Sequence, residues 1–183
     1  MQTTRVPKQS VSSERIAELL EANGWLRSVA GDDDFDKACK AIVAMYANGR
    51  GLFLTGNAGC GKTQLMKALF KIERAEISRW LYTKNQQQMM WLKENHDFYI
   101  KSDIFIDDFG AEEVKREYGN TIDVVGDFIQ VYHTNGKGRF FSTTNLNSQQ
   151  INERYGGRIL DRILEMCVIL KLNSKSKRER IVI

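Results

Sequence analysis

The sequence predicts an α/β domain in which a five-stranded parallel sheet lies between helices. Three observations carry that expectation. Short unbroken apolar runs, each the length of a strand buried on both faces, alternate with segments of helical periodicity. A glycine-rich loop joins the first of these runs to a helix. No proline-rich or serine/glycine-rich stretch divides the chain, which contains one proline, Pro7.

The elements follow in order. Residues Ser13 to Asn23 read as a short amphipathic helix, with Ile16, Leu19 and Leu20 on one face and Gly24 as the stop. Asp32-Asp33-Asp34 reads as a loop containing a helix N-cap. The next helix, Phe35 to Asn48, carries Phe35, Ala38, Ile42, Met45 and Tyr46 at helical spacing. The period then changes to the strand Leu52-Phe53-Leu54-Thr55. Helix Lys62–Ala75, strand Arg79–Tyr82, helix Gln86–Lys93 and strand Ile104–Ile106 follow. Helix Thr121–Tyr132 leads to strand Phe140–Thr143, to helices Gln149–Arg154 and Ile159–Glu165, and to a last strand, Cys167–Leu170. Such strands are joined by right-handed crossovers, and ligands bind beyond their C-terminal ends.

Composition narrows the class. With 183 residues and 21.0 kDa, the chain has the size of one domain. Its 42% apolar and 27% charged residues exclude a disordered or fibrous chain. No apolar run has the length of a membrane span, and Met1-Gln2-Thr3-Thr4-Arg5 is not a signal peptide, so a cytoplasmic location is expected. Cys39, Cys60 and Cys167 are read as free thiols, and with His96 and His133 they form no zinc-ligand spacing. The net charge of +4 is mild. Its clearest local cluster, Lys171, Lys175, Lys177, Arg178 and Arg180, has two readings: a solvated C-terminus or a strip that tracks phosphates.

Chemistry concentrates at the strand ends. Gly56-Asn57-Ala58-Gly59-Cys60-Gly61-Lys62-Thr63 fits the pattern G-x-x-x-x-G-K-[ST] at every fixed position. Glycines let successive N–H groups turn towards phosphate oxygens, and the helix that begins near Lys62 adds its positive dipole end. These eight residues and Gln64 form the expected nucleotide-binding set for ATP. Lys62 would reach the β- and γ-phosphates, and the Thr63 hydroxyl would ligate Mg²⁺. Ile104-Phe105-Ile106-Asp107-Asp108 is an apolar strand ending in paired carboxylates. Asp107 would hold Mg²⁺ through its water shell and Asp108 would orient or deprotonate the attacking water, although Asp after a strand is also ordinary turn chemistry. Asn145, after Phe140–Thr144, is read either as a group bonding that water or the γ-phosphate, or as a helix N-cap. Arg158 and Arg162, at i, i+4 spacing, are read as surface residues or as a cation aimed into a neighbouring subunit's site. Trp80, Tyr82 and Trp91 read as core or half-buried anchors rather than a base-stacking platform.

Taken together, Gly56–Thr63, Ile104-Phe105-Ile106-Asp107-Asp108-Phe109-Gly110, Ser142-Thr143-Thr144-Asn145-Leu146 and Gly157-Arg158-Ile159-Leu160-Asp161-Arg162 resemble the DnaC/IstB branch of the AAA+ ATPases. The resemblance spans roughly Ala38 to Arg178. It implies a P-loop NTPase of the AAA+, additional-strand type; because the chain stops at Ile183, no C-terminal helical lid is expected. It also implies that Asn145 is a sensor residue and Arg162 an arginine finger, with Arg158 the second candidate, and it likens Ser176-Lys177-Arg178 to the segment ending many such domains. The catalytic set is then Lys62, Asp108, Asn145 and Arg162, with Thr63 and Asp107 on the metal. The implied function is an Mg-dependent ATPase that loads a replicative helicase on or near single-stranded DNA and self-associates when active. A transposition-helper ATPase acting with a transposase on duplex DNA, and a nucleotide switch with little turnover, are the alternatives. Residues 1–34 would form an N-terminal segment and 35–183 the ATPase domain, with the helix Ser13–Asn23 either docking a partner or packing on the core.

Overall fold

A computed structural model describes residues 11–73, 80–112 and 123–174, with the backbone alone of 115–117 and 120–122. Helix α1 (Ser13–Ala22) is capped by Ser12, whose side chain accepts the Arg15 amide. Its buried Ile16 and Leu20 pack against α3 and the later helix α4. A short α2 (Arg27–Ala30) leads into α3 (Asp32–Asn48), which ends at Gly49 in the left-handed conformation. The three aspartates are therefore the first turn of α3 and not a loop. Negative charge is favourable at that end of a helix. The buried Asp34 carboxylate also accepts the amides of Asn173 at 3.0 Å and Ser174 at 2.8 Å, and the Ser174 hydroxyl.

Strand β1 (Gly51–Gly56) runs into the glycine loop and α4 (Lys62–Ile72). Next come β2 (Trp80–Tyr82), α5 (Gln86–Glu94), α6 (His96–Tyr99) and β3 (Ile104–Phe109). A small antiparallel pair, β4 (Lys115–Glu117) and β5 (Asn120–Ile122), stands where the sequence reading placed the start of a helix. That helix, α7 (Val124–Asn135), begins later because the Asp123 side chain caps it by accepting the Gly126 amide. The remainder is β6 (Phe140–Thr144), α8 (Ser148–Tyr155), α9 (Gly157–Met166) and β7 (Cys167–Leu172).

The main sheet has the order β2-β3-β6-β1-β7, parallel throughout. The loop-bearing strand β1 and the carboxylate-bearing strand β3 are thus not neighbours. Strand β6 lies between them, and Asn145 follows its last residue, Thr144. Alternation along the strands builds two cores: Leu52, Leu54, Phe105 and Phe141 face α1, α3 and α4, whereas Phe53, Ile104, Ile106 and Phe140 face α7 and α9. At the opposite end of the sheet, the Arg139 guanidinium forks onto Glu73 (2.8 and 2.8 Å) and onto Asp103 (3.1 and 2.6 Å). This tie fastens the end of α4 to the starts of β3 and β6.

One irregularity matters for the site. Ile106 pairs with Ser142, but Phe109 pairs with Thr144, so β3 carries one residue more than β6 over this interval. The bulge falls at Asp107-Asp108, and Asp108 has φ +58°, the left-handed conformation.

Candidate functional site

The C-terminal ends of β1, β6 and β3 meet at one edge of the sheet. In the loop after β1, Gly56, Gly59 and Gly61 all have positive φ. At Gly56 the requirement is also steric, since a Cβ would lie 2.4 Å from the Leu172 carbonyl oxygen. Gly61 is the N-cap of α4, which leaves the first amides of that helix without helical acceptors, facing the loop.

Lys62 follows. Its side chain is buried, and its ammonium donates to the carbonyls of Gly56 (2.7 Å) and Asn57 (2.9 Å) and to Oδ1 of Asn145 (2.9 Å). No carboxylate among the described residues pairs with it. Burial lowers its pKa, while the charges of Cys60, Asp108 and Asp107 oppose the shift. A buried cation solvated by neutral oxygens, beside free helix amides, fits an anionic group. The N-cap reading of Asn145 does not hold: the cap of α8 is Asn147, which forms a capping box with Gln150.

The neighbouring carboxylates are positioned separately. Oδ1 of Asp107 accepts the hydroxyls of Thr63 (3.0 Å) and Thr143 (2.5 Å). A hydroxyl and a carboxylate are hard oxygen donors, the set that suits Mg²⁺. Asp108 projects its carboxylate to a half-exposed position 3.5 Å from Nζ of Lys84. Its backbone is held at both ends, the amide by Oγ1 of Thr143 (3.0 Å) and the carbonyl by the hydroxyl of Thr83 (2.6 Å). Beyond it, Phe109 is buried and stacks on Tyr155 at 4.6 Å. Gly110 has φ +89°, and a Cβ there would lie 2.3 Å from Cδ1 of Leu146. The Asp-Asp-Phe-Gly and Thr-Thr-Asn-Leu segments therefore interlock across two strand ends.

The structure thus brings together Lys62, Thr63, Asp107, Asp108 and Asn145. Of the other residues expected to cradle nucleotide, Asn57, Ala58 and Gln64 are exposed, and Cys60 is buried with its sulfur 3.8 Å from Nζ of Lys62. Arg158 and Arg162 lie on α9, with no bond to the loop among the described residues. Arg158 is exposed; Arg162 is half-buried, with Nη1 sequestered from water and lacking a hydrogen-bond partner. Glu165, on the same helix, is bonded to His133 at 2.6 Å.

Other expectations fare variously. Lys175, Lys177, Arg178, Arg180 and Ser176-Lys177-Arg178 lie outside the described residues. Trp80 packs against the core, while Tyr82 and Trp91, 46% and 48% exposed, are half-buried rather than core. Tyr82 lies on β2, the edge strand of the sheet among the described residues. Three contributors were missed. Thr143 reads as an ordinary strand residue, Thr83 falls just past the strand Arg79–Tyr82, and Trp25, buried against Phe35, places Nε1 3.7 Å from where a Cβ of Gly61 would stand. The adjacency of Trp25 and Phe35 to the loop has no signal in linear spacing. No helix among the described residues is long and apolar enough to cross a membrane.

No family model and no curated protein matches the sequence. Solved structures do. The crystal structure of the DnaC helicase loader superposes with a TM-score of 0.54 and 23% identity, covering 76% of this chain and 90% of that one. C. elegans PCH-2 aligns with a TM-score of 0.40 and 14% identity, over 89% of this chain and 44% of its own, and carries no weight here. The strand order, the loop between β1 and α4, and the superposition agree: this chain has an α/β fold similar to that of the DnaC helicase loader.

Proposed function

We propose that the chain binds and hydrolyses ATP with Mg²⁺, and that it serves as a helicase loader, engaging a replicative helicase at single-stranded DNA. The observation that carries the nucleotide reading is the buried Lys62 ammonium, unpaired with any described carboxylate and directed into a loop of positive-φ glycines. In this reading Lys62 exchanges its carbonyl partners for β- and γ-phosphate oxygens. Thr63 and Asp107 hold Mg²⁺, Asp107 through water. Bound Mg²⁺ neutralises charge that develops on the phosphate oxygens. Asp108, half-exposed at the bulge, orients the attacking water and accepts its proton, while Asn145 fixes that water or the γ-phosphate from the intervening strand. Arg162 of a second copy supplies the remaining cation, so turnover depends on self-association. The loader role is supported by the shared fold with the DnaC helicase loader. It is supported as well by the interlock of Gly110 with Leu146, which joins the two segments that give the sequence its resemblance.

The test has two stages. ATP affinity and turnover are measured for the parent, Lys62→Ala and Asp108→Asn. Lys62→Ala should lose nucleotide affinity by at least about tenfold, and Asp108→Asn should keep affinity yet lose turnover. Unchanged affinity and turnover in both variants would overturn the nucleotide reading. Purified hexameric helicase and purified transposase are then offered separately, with and without single-stranded DNA. Binding to the transposase alone would replace the loader role with the transposition-helper role.

A further inference from the structure

The two carboxylates of β3 pose a geometric problem. Consecutive residues of a regular strand point to opposite faces, so Asp107 and Asp108 would diverge if β3 continued without interruption. The extra residue in β3 and the left-handed backbone at Asp108 resolve this, because a bulge re-aims the side chain that follows. The bulge also interrupts the ladder with β6 between Ile106 and Phe109, so the Asp108 amide needs another acceptor. That acceptor is a side chain, the fully buried Thr143 hydroxyl, at 3.0 Å. The same hydroxyl donates its one proton to Oδ1 of Asp107, at 2.5 Å. A hydroxyl has one donor and two acceptor positions, so both bonds form without competition.

We infer that Thr143 is the positioning residue of the hydrolytic half of the site: its single hydroxyl fixes the metal-side carboxylate of Asp107 and the bulged backbone that aims Asp108. The inference rests on the nucleotide reading given above and adds to it a residue that touches neither phosphate nor water. Neither bond is available to an apolar side chain of the same shape, so Thr143→Val separates this role from packing. Serine keeps the hydroxyl and loses only a methyl group. Thr83 acts on the other side of the same residue, its hydroxyl on the Asp108 carbonyl and its backbone amide on the Asp107 carbonyl at 3.3 Å, but it does not bond the Asp107 carboxylate. Among the described residues, Thr143 is the one whose side chain bonds both the Asp107 carboxylate and the Asp108 backbone.

The experiment uses the full chain as parent, Thr143→Val and Thr143→Ser, with three readouts. The first, in the absence of nucleotide, is hydrogen exchange at the Asp108 amide. The second is the Mg²⁺ concentration that half-saturates the effect of the metal on ADP affinity. The third is kcat and KM for ATP. Thr143→Val should speed Asp108 exchange by about tenfold and raise the Mg²⁺ requirement by about tenfold. It should lower kcat by roughly 10–100-fold with KM little changed, in line with losses seen when groups that orient metal ligands are removed. ADP affinity without metal should stay at the parent value, and Thr143→Ser should recover most of each loss. Parent-like exchange and Mg²⁺ dependence in Thr143→Val would overturn the inference. So would a serine variant as impaired as valine, which would mean packing. If Thr143→Val fails to fold, Thr143→Ala is read by the same criteria. A parent without ATP turnover would refute the proposed function, while the exchange and Mg²⁺ readouts would still judge Thr143.

Discussion

Consider the replacement of Arg139 by alanine, far from the nucleotide loop. The guanidinium makes four bonds, two to Glu73 and two to Asp103, and its side chain is 21% exposed against 7% and 20% for its partners. Burial works against its charge, but the hydrogen bonds and charges of Glu73 and Asp103 prevail, and its pKa is raised. Alanine would leave two sequestered carboxylates without a counter-charge. Breaking a buried pair in this way costs about 3–5 kcal/mol, and the partial exposure of Asp103 places this case near 3 kcal/mol. The loss of the guanidinium over Phe141, at 5.1 Å, adds about 0.5–1 kcal/mol. For a chain of this size the summed loss of about 3.5–4 kcal/mol corresponds to a fall in Tm of roughly 7–16 °C. Urea unfolding followed by tryptophan fluorescence would measure the free energy. Arg139→Lys, which retains charge without the planar fork, should fall between parent and alanine. A loss below about 1 kcal/mol for Arg139→Ala would show that the triad behaves as a surface ion pair, and would refute the reasoning.

Four further outcomes are expected. Gly110→Ala, which sets a Cβ against Leu146 at positive φ, should destabilise by about 2 kcal/mol in thermal melts, and adding Leu146→Ala should recover the steric part. Burial raises the Asp34 pKa, but bonds from Asn173 and Ser174 outweigh it and the net shift is downward. Its contribution is therefore complete above the ordinary carboxylate range and is lost as pH falls through the depressed value; the stability gap between parent and Asp34→Asn should narrow as pH falls from about 7 through and below the ordinary carboxylate range, and a constant gap would count against it. Asp107→Asn should raise the Mg²⁺ requirement by about 10–100-fold while metal-free ADP binds as before, checked by calorimetry. Arg162→Ala should bind ATP normally but turn it over slowly at every protein concentration, with some activity restored by mixing with Asp108→Asn; parent-like turnover would return Arg162 to a surface role.

Much of this arrangement could be read from the linear chain, for physical reasons. Leu52–Thr55, Ile104–Ile106 and Phe140–Thr143 are apolar on both faces, a pattern that only a covered parallel strand satisfies. The glycine loop has a stereochemical signature that survives without context. Features decided by register were not legible. The position of β6 between β1 and β3, the bulge at Asp107-Asp108 and the bonds of Thr143 depend on which strands become neighbours in space. Asp34 looked like a loop residue because its partners lie about 140 positions away, at Asn173 and Ser174. The strands Lys115–Glu117 and Asn120–Ile122 are three residues each and largely polar, too short to show a period. For Tyr82 and Trp91 the choice between core and half-buried stayed open in the sequence, since aromatic residues carry no mark that separates a sheet edge from a core.

Strand β2 spans three residues and, among the described residues, bonds to the sheet on one side only, through β3. Terminal strands of this kind open before central ones, at a fraction of the free energy of global unfolding. When β2 peels away, Thr83 leaves with it, and the Asp108 carbonyl loses the hydroxyl that steadies it. The loop and Lys62 lean on β1 and β6, which are paired on both sides and stay closed. The domain can therefore fray in the half that activates water while the half that grips phosphate remains folded, so that holding a nucleotide and consuming it are unequally robust to heat and denaturant.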